Sequence, residues 1–384
     1  MSATDWTRAA NVLCVRLDSI GDVLMTGPAL RALRETSPAR RITLLTSRAG
    51  AEAAALMPEI DETIVYAAPW MKTERESHPA SDLEMAELLR GRGFDAAAIF
   101  TVYTQSPLPA ALLCQLAGIP LRLAHCRENP YLLLTNWMPE TEPEGGVRHE
   151  VRRQLDLVAG VDAHGADERL AIEVPQPSRD RVEGRLEQLG LAPGGRWVVL
   201  HPGSTAESRR YPAEGWAQVC RILSDEGLTV LLSGTGREAE LAAGVRRAAG
   251  AGALVTDLPE LADFAALLHA APLLLAGNTG PVHVAAAVGT PVVDVYALTN
   301  PQHTPWATPS RVLFHDVPCR WCYRSICPEG HHRCVRGVSP QEIVAAALSL
   351  LRGEPAAAHE LPPVEADLMR RNVRTTSRGA HPSS

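Results

Sequence analysis

Residues 271–306 of this chain read APLLLAGNTGPVHVAAAVGTPVVDVYALTNPQHTPW. An apolar run from Leu273 to Ala276 ends in Gly-Asn-Thr-Gly, and Pro281 then opens an Ala/Val segment that Gly289 closes. Proline is favoured in the first turn of a helix, and glycine is favoured just after its last turn. The stretch therefore predicts a strand, a tight loop, a helix and a second strand.

The loop at residues 277–280 has the features of an anion site. A helix that begins beside it turns unpaired N–H groups and the positive end of its dipole toward the loop, where phosphate binds well. We expect Gly277 and Gly280 to let a ligand approach the backbone closely. The alternative is an ordinary tight turn before helix-favouring residues, and these few residues alone favour neither interpretation.

The composition is that of a large water-soluble protein. With 384 residues, of which 46% are hydrophobic, the chain is long enough for two or three domains with substantial cores. The start resembles no signal peptide, and no run of 18 apolar residues occurs. A net charge of −7 and an isoelectric point of about 6.0 argue against a general nucleic-acid-binding protein. We expect a cytoplasmic protein whose eight cysteines stay reduced.

Strand-like and helix-like segments alternate through the first half of the chain. Such alternation is typical of βαβ units, which build a parallel sheet with helices on both faces. The predicted strands are 11–17, 41–47, 62–66, 95–100 and 121–125, and the predicted helices are 22–35, 51–57, 82–90 and 106–118. We expect 69–80 and 127–148 to be loops, because both are rich in proline and polar residues.

A second alternating set follows residues 149–160 and the proline-containing segment 174–179. We therefore predict an α/β fold with two Rossmann-like, doubly wound lobes that face each other across a cleft lined by strand ends. The predicted divisions are a first lobe at 1–170, a second lobe at 171–338, a helix at 339–353 with Ser339 as its N-cap, and a disordered tail at 354–384.

Two carboxylates flank the predicted start of the first helix. Asp18 and Asp22 lie on either side of a Ser-Ile-Gly turn that we expect between strand and helix. A carboxylate in such a loop can accept a proton from a substrate hydroxyl. The opposing interpretation is that Asp22 only starts the helix, whose positive end weakens it as a base. Gly21 is the single glycine here, so this is not the three-glycine dinucleotide motif.

An arginine pair precedes the helix predicted from Pro212. A helix N-terminus usually carries a negative side chain, so Arg209 and Arg210 at this place are explained by an anion between them and the helix. Arginine holds phosphate through two parallel hydrogen bonds, and we expect a diphosphate between Arg209 and the N–H groups of Thr279 and Gly280. A solvated arginine pair is the alternative, and the residues alone do not separate the two.

Four cysteines lie within sixteen residues near the end of the second lobe. They are Cys319, Cys322, Cys327 and Cys334, with His331 and His332 beside the last. The first pair has the spacing of a zinc half-site, whereas the six residues between the second pair lie outside the common ligand spacing. A structural zinc is one interpretation of this group, and packed reduced thiols are the one that we favour.

Several of these motifs together resemble glycosyltransferase family 9, the ADP-heptose:lipopolysaccharide heptosyltransferases. In chain order they are RLDSIGDVLMTGPALRAL, HPGS followed by RRYP, GNTGPVHVAAAVGTPVV, LTNPQHTPW and CPEGHHRC. The resemblance spans about residues 11–350. It implies a GT-B architecture with an acceptor-binding first lobe, a donor-binding second lobe, and inverting transfer that requires no metal or other cofactor.

The resemblance also implies roles for individual residues. Asp22 would be the catalytic base, with Asp18, Ser19 and Gly21 on the acceptor side. The implied donor-binding residues are Ser204, Arg209, Asn278, Thr279, Gly280 and His283. Asn278 stands where many heptosyltransferases have aspartate, and Arg209 stands where lysine is common, so the donor contacts are expected to differ.

The expected partners are a nucleotide-sugar donor, ADP-heptose by resemblance, and a glycan or glycolipid acceptor of the lipopolysaccharide core. No nucleic-acid polymer is expected as a partner. At most, the protein is expected to make peripheral contact with the cytoplasmic face of the inner membrane. His125, Arg127 and Arg148 either meet an anionic acceptor or are solvated loop charges, and we favour the latter. The arginine-rich tail from Arg370 would attract an anionic membrane only weakly. The alternative functions are a nucleotide-sugar epimerase or hydrolase, and a nucleotide-sugar-binding protein without turnover.

Overall fold

The computed structural model describes residues 6–71, 79–204, 206–234, 237–250, 253–297 and 299–355. The chain divides into two compact units, 1–173 and 174–384. Most of the predicted tail, from residue 356 onward, lies outside the described residues, as do residues 72–78 of the predicted loop at 69–80. None of the described helices combines the length and the apolar character needed to cross a bilayer.

The described part of the first unit contains a six-stranded parallel sheet with the strand order β3-β2-β1-β4-β5-β6. The strands are β1 (Asn11–Arg16), β2 (Arg41–Thr46), β3 (Glu62–Val65), β4 (Ala96–Ile99), β5 (Leu121–Cys126) and β6 (Asn136–Pro139). The helices are α1 (Ile20–Thr36), α2 (Arg48–Ala54), α3 (Pro79–Arg92), α4 (Leu108–Leu116) and α5 (Glu150–Ala159). The strand order reverses between β1 and β4, and doubly wound sheets bind ligands beyond the carboxyl ends of such a strand pair.

The second unit, over its described residues, repeats this arrangement with the order β12-β11-β10-β7-β8-β9, again all parallel. Its strands are β7 (Trp197–His201), β8 (Thr229–Ser233), β9 (Ala253–Thr256), β10 (Leu274–Gly277), β11 (Val292–Val295) and β12 (Ser310–Leu313). Its helices are α6 (Gln176–Gln188), α7 (Ala213–Asp225), α8 (Arg237–Ala249), α9 (Leu261–Ala270), α10 (Gly280–Val288), α11 (Arg333–Arg336) and α12 (Pro340–Leu351). Here the order reverses between β7 and β10.

The central strands are buried on both faces, because helices cover each side of a parallel sheet. In β1, every residue from Val12 to Arg16 is buried, and in β10 every residue is buried. Ser339 caps α12 by accepting the N–H of Glu342, and its own N–H and hydroxyl are donated to the Glu342 carboxylate. This reciprocal pair fixes the start of α12, which packs on the core of the second sheet.

The predicted α/β class and the two doubly wound lobes are confirmed. One loop prediction is wrong. The segment 127–148 is not a loop throughout, because it contains β6 at the edge of the first sheet. The proline-containing segment 174–179 includes the start of α6, at Gln176. Both elements are mostly polar on their exposed sides and therefore lack the continuous apolar runs that identified the central strands.

Candidate active site

The loop after β1 places two carboxylates at the start of α1. Helix α1 begins at Ile20, so Asp22 lies in its first turn and not beyond a non-helical Ser-Ile-Gly turn as predicted. One oxygen of Asp22, Oδ2, accepts the backbone N–H of Ser19 at 3.1 Å and the Ser19 hydroxyl at 2.7 Å. Asp22 thus helps to cap the helix, and the same contacts hold its carboxylate in one orientation.

A buried arginine, Arg16 at the end of β1, ties this loop to the rest of the unit. Its guanidinium lies 3.0 Å from Asp18 Oδ2, 3.0 Å from Asp22 Oδ1 and 2.9 Å from Glu150 Oε1. The side chains of Arg16 and Glu150 are both 0% exposed. Three carboxylates therefore surround one cation, and the Asp22 carboxylate is held on both of its oxygens, by Arg16 and by Ser19.

Sequence reasoning missed Arg16 and Glu150. The signal for Arg16 was present, since a charged residue ends an otherwise apolar strand directly before the two carboxylates. A buried arginine needs negative partners. This position therefore predicts that acidic side chains lie nearby, but it does not identify them. No sequence signal connects it to Glu150, which starts α5 much later in the chain.

Asp18 has a different environment from Asp22. Burial raises the pKa of Asp18 to about 6, the Arg16 guanidinium opposes this rise, and the negative charge of Asp22 adds to it. The side-chain amide of Gln105 donates to Asp18 Oδ1 at 2.7 Å. Asp18 is thus a carboxyl group with a raised pKa beside the better-held carboxylate of Asp22.

Asp18, Ser19 and Asp22 line an open cavity of about 980 Å³ within the first unit. Other parts of its wall come from the ends of β3 and β4 and from α2, and include Tyr66, Trp70 and Gln105. Gly21 is buried within the first turn of α1. The cavity is large enough for a small-molecule ligand and combines aromatic walls with a few polar groups, as ligand pockets commonly do.

In the second unit, the loop after β7 carries Arg209. It ends a short 3₁₀ turn, Glu207–Arg209, and its Nη1 donates to the carbonyl oxygen of Asn278 at 3.3 Å. Arg210 turns the other way and donates to the carbonyl oxygen of Ser204 at 2.8 Å. The structure therefore brings the predicted Arg209 to the loop after β10, while Arg210 braces its own loop.

The loop after β10 leads directly into α10, whose first turn reads GPVH. Thr279 is the N-cap residue, and its hydroxyl donates to the carbonyl oxygen of Gly277 at 3.2 Å. Gly289 ends the helix, as predicted, and its backbone has the left-handed conformation. With no acidic residue in this turn and the cap hydroxyl engaged elsewhere, the backbone N–H groups at the helix start are suited to an anion.

Three predicted donor residues have buried side chains. Asn278 is 2% exposed, and its amide donates to the Ala297 carbonyl oxygen and the Thr299 hydroxyl, both at 3.3 Å. His283 is buried within α10. The side chain of Ser204 is also buried, and its hydroxyl donates to the carbonyl oxygen of Ala206 at 3.2 Å. These side chains shape the loops, and the backbone of Thr279 and Gly280 remains the best candidate for direct phosphate contact.

Gly277 has a role other than the predicted one. A Cβ atom at this position would lie 3.1 Å from the carbonyl oxygen of Arg209. The glycine therefore admits the protein's own backbone at Arg209. The prediction that it also lets a ligand approach stays a prediction.

His125 and Arg148 are not solvated loop charges, whereas Arg127 is exposed. His125 is buried, its Nε2 lies 3.2 Å from the Arg153 carbonyl oxygen, and burial lowers its pKa to about 3. Arg148 pairs with Glu142 at 2.7 Å and Asp156 at 2.9 Å, and Arg127 donates to the carbonyl oxygen of Glu142. The favoured interpretation is therefore wrong for His125 and Arg148, and for Arg127 it stays a prediction.

The four-cysteine segment packs beside the Arg209 turn. Its cysteines are free thiols, and burial raises the pKa of Cys334 to about 11, with the neighbouring Cys322 and Cys319 adding to the rise. Cys319 Sγ lies 3.6 Å from His331 Nε2. Within the described residues, no set of three or more His, Cys, Asp or Glu side chains is arranged to hold a metal ion. The segment nevertheless has a structural function.

That function is to support the turn that carries Arg209. Ser208 donates its N–H to the Ser325 carbonyl oxygen at 3.0 Å and its hydroxyl to the Arg324 carbonyl oxygen at 2.7 Å. Both acceptors lie between Cys322 and Cys327. The segment therefore fixes the backbone of the turn one residue before Arg209.

Comparison with known proteins relates the whole arrangement to one family. The family profile "Glycosyltransferase family 9 (heptosyltransferase)" matches residues 83–332. Lipopolysaccharide heptosyltransferase 1 of Pseudomonas aeruginosa is 26% identical over 333 residues, which cover 82% of this chain and 87% of that protein.

Two solved structures share the fold. A family 9 glycosyltransferase of Veillonella parvula superposes with a TM-score of 0.76 and 22% identity, covering 91% of this chain and 98% of that chain. The ADP-heptose lps heptosyltransferase II of E. coli superposes with a TM-score of 0.70 and 21% identity, covering 90% and 100%. These superpositions confirm the expected GT-B type of architecture.

Proposed function

Because the chain belongs to glycosyltransferase family 9, the heptosyltransferase family, we propose that it transfers a heptose from ADP-heptose to a lipopolysaccharide-core acceptor, with inversion at the anomeric carbon. The observation that carries this proposal is the Asp22 carboxylate, held on both oxygens at the wall of the cavity in the first unit. A fixed carboxylate beside a cavity of this size is suited to act as a general base.

In the proposed reaction the acceptor occupies the cavity of the first unit. Asp22 accepts the proton of the acceptor hydroxyl while that oxygen attacks the anomeric carbon of the donor. The bond between this carbon and the diphosphate oxygen breaks on the opposite face, and the nucleoside diphosphate leaves. A single displacement of this kind inverts the anomeric configuration.

Arg209 and the start of α10 are proposed to hold the donor diphosphate. The leaving diphosphate gains negative charge as the bond breaks, and a preorganised cation with aligned N–H groups stabilises that charge without reorganisation. Arg209 reaches the carbonyl oxygen of Asn278, directly before these N–H groups. Because Arg209 and the helix end supply positive charge, we propose that the transfer needs no metal ion.

The identity of donor and acceptor rests on the relatives. The E. coli relative is described as an ADP-heptose lps heptosyltransferase II, and the Pseudomonas aeruginosa relative as lipopolysaccharide heptosyltransferase 1. We propose the same donor and the same class of acceptor for this chain. Since such an acceptor is anchored in a membrane, we also propose that the protein works at the cytoplasmic face of the inner membrane through peripheral contact.

The test is a transfer assay with purified protein, ADP-heptose and a panel of core acceptors that differ in their heptose content. We expect ADP release that requires one of these acceptors, and a glycan product of correspondingly greater mass. UDP-sugars in place of ADP-heptose serve as the control for the donor. Products formed without acceptor would instead identify a hydrolase or epimerase, and tight ADP-heptose binding without turnover would identify a binding protein.

A further inference from the structure

One surface of the first unit exposes several large apolar side chains that the proposed reaction does not use. Within the described residues, all but one of the exposed large apolar side chains belong to this unit. Four of them lie on two elements that contact each other, α4 and the 3₁₀ turn Tyr131–Leu133. They are Leu112 (48% exposed), Leu116 (47%), Tyr131 (81%) and Leu132 (85%), and we call them the apolar surface.

Helix α4 contributes an outer face without charge. From Ala96 to Leu121 the sequence contains no aspartate, glutamate, lysine or arginine, and α4 lies within this stretch. A helix at the surface of a water-soluble protein normally turns charged and polar residues outward. Leu112 and Leu116 are instead exposed one helical turn apart, where their side chains are neighbours. The outer face of α4 is therefore suited to an apolar partner.

The 3₁₀ turn beside α4 is held by a buried arginine. The guanidinium of Arg122 donates to the carbonyl oxygens of Leu133 at 2.7 Å and Leu132 at 2.8 Å, and also to that of Ile119, just after α4. One cation therefore ties the turn to the end of the helix. Tyr131 has a φ of 47°, in the left-handed region that residues other than glycine seldom adopt. The turn is thus a fixed support that displays Tyr131 and Leu132.

The same helix forms part of the wall of the cavity that contains Asp22. Pro109 and Ala110, in the first turn of α4, line this cavity, and Leu112 follows two residues later. The apolar surface therefore begins within one helical turn of the proposed acceptor site. An acceptor that is anchored in a membrane has to bring its lipid close to this site.

Area and charge favour a lipid bilayer over a second protein chain as the partner. At their observed exposure the four side chains present roughly 500 Å², less than the about 800 Å² that each partner contributes to a stable protein interface. Leucine and tyrosine are also residue types that enter the interfacial layer of a bilayer. The charges beside this surface are of both signs, since Arg127 and Glu128 precede the turn and Arg90 pairs with Glu87. Contact with a bilayer is therefore expected to be mainly apolar.

We propose that the apolar surface is the site at which the first unit inserts into the surface of a phospholipid bilayer, with Tyr131 and Leu132 entering deepest. The inference rests on the proposed function for its membrane-anchored acceptor. It assigns the peripheral contact to a defined surface and to the burial of apolar side chains. Insertion of this surface brings the wall of the acceptor cavity that α4 forms close to the bilayer.

The test is co-sedimentation of the full chain with vesicles of phosphatidylethanolamine and phosphatidylglycerol. We expect binding that persists at high salt, because salt screens attraction between charges but not apolar burial. Tyr131→Asn combined with Leu132→Ser should lower the partition coefficient by about tenfold or more. Asparagine is chosen because it tolerates the left-handed conformation. Leu132→Trp should raise the partition coefficient, since tryptophan favours the interfacial layer.

Ile326→Ser is the matched control, because Ile326 is 70% exposed but belongs to the second unit. We expect this control to bind vesicles as the wild type does. The combined variant should keep the wild-type melting temperature, since both of its substitutions are at exposed positions.

The inference is overturned if the wild type does not sediment with vesicles, if high salt abolishes its binding, or if the combined variant binds as the wild type does. It is also overturned if the wild type self-associates in sedimentation velocity and the combined variant does not, because the surface then joins two copies of the chain.

The proposed function fails by a different result. If the wild type binds vesicles but transfers no heptose to a lipid-free core acceptor, the proposed reaction is wrong and the bilayer contact stands. If both are correct, the combined variant should retain transfer to the lipid-free acceptor and lose rate only with an acceptor embedded in vesicles.

Discussion

The two units share one strand order but place opposite charges at the point where that order reverses. In the first unit, Asp22 occupies the first turn of α1, and its negative charge satisfies the positive end of the helix. In the second, the first turn of α10 contains no acidic residue, and Arg209 lies beside it. The same backbone arrangement therefore provides the proposed base where a carboxylate fills the helix end, and the proposed anion site where the end stays open.

The largest effect that this comparison predicts is on turnover. Asp22→Asn removes the proposed base while keeping the size of the side chain, and we expect kcat to fall by roughly 10²- to 10⁴-fold. The affinity for ADP should stay within a few-fold, because the substitution leaves Arg209 and α10 unchanged. Steady-state kinetics and calorimetry measure the two quantities separately.

Asp167→Asn is a suitable control for this substitution, because Asp167 belongs to the same unit and pairs with Arg169 at the surface. It should retain full activity. Retained turnover in Asp22→Asn would mean that Asp22 is not the base, and attention would shift to Asp18.

The next effect concerns the second loop. Arg209→Ala should weaken ADP binding by about 1.5 to 3 kcal/mol, the range for hydrogen bonds to charged groups. Arg209→Lys keeps the charge but not the planar pair of donors, so we expect an intermediate loss. Calorimetry with ADP measures both, and Arg185→Ala on the exposed side of α6 is the control. An unchanged dissociation constant in Arg209→Ala would leave the open helix end as the only anion-binding feature of this loop.

The smallest effect concerns stability and pH in the first loop. Because the pKa of Asp18 is raised from 3.8 to about 6, the folded state binds its proton more tightly than the unfolded state. The corresponding stability is fully present below about pH 4 and is lost as the pH rises through about 6. Between pH 4 and 7 the free energy of unfolding of the wild type should decrease. Asp18→Asn should make this decrease smaller by about 2 kcal/mol.

Urea unfolding of the wild type and Asp18→Asn at several pH values across this window measures the difference in slope. Parallel curves for the two proteins would show that Asp18 titrates in its ordinary range. The comparison of slopes, not of absolute stabilities, is informative, because the substitution also removes a partner of Arg16.

The sequence predicted the elements that a single apolar pattern defines. The strand ending at Gly277 and the helix closed by Gly289 were both recognisable, because apolar runs, proline and glycine act locally. The edge strand β6 was not recognisable, because its exposed residues Trp137 and Pro139 alternate with half-buried residues within a polar segment. Helix α6 buries only Ser178, Val182 and Leu186, a stripe too narrow to stand out.

The candidate site was predictable only in part, for a similar reason. Arg209 and the Asn278 loop could be singled out because their motifs are contiguous. The side-chain partners could not, because they depend on which elements become neighbours: Glu150 reaches Arg16 from a helix that lies far along the chain. The burial of Asn278 likewise results from acceptors on the loop that follows β11.

The ion pair between Arg16 and Glu150 also has a consequence for the order of events during synthesis. The two residues are 134 positions apart, so β1 through β6 are made before Glu150 leaves the ribosome. Until then the buried guanidinium of Arg16 has Asp18 and Asp22 as partners but lacks the Glu150 carboxylate. The set of charge contacts around Arg16, one of which holds Asp22, is therefore complete only when α5 docks.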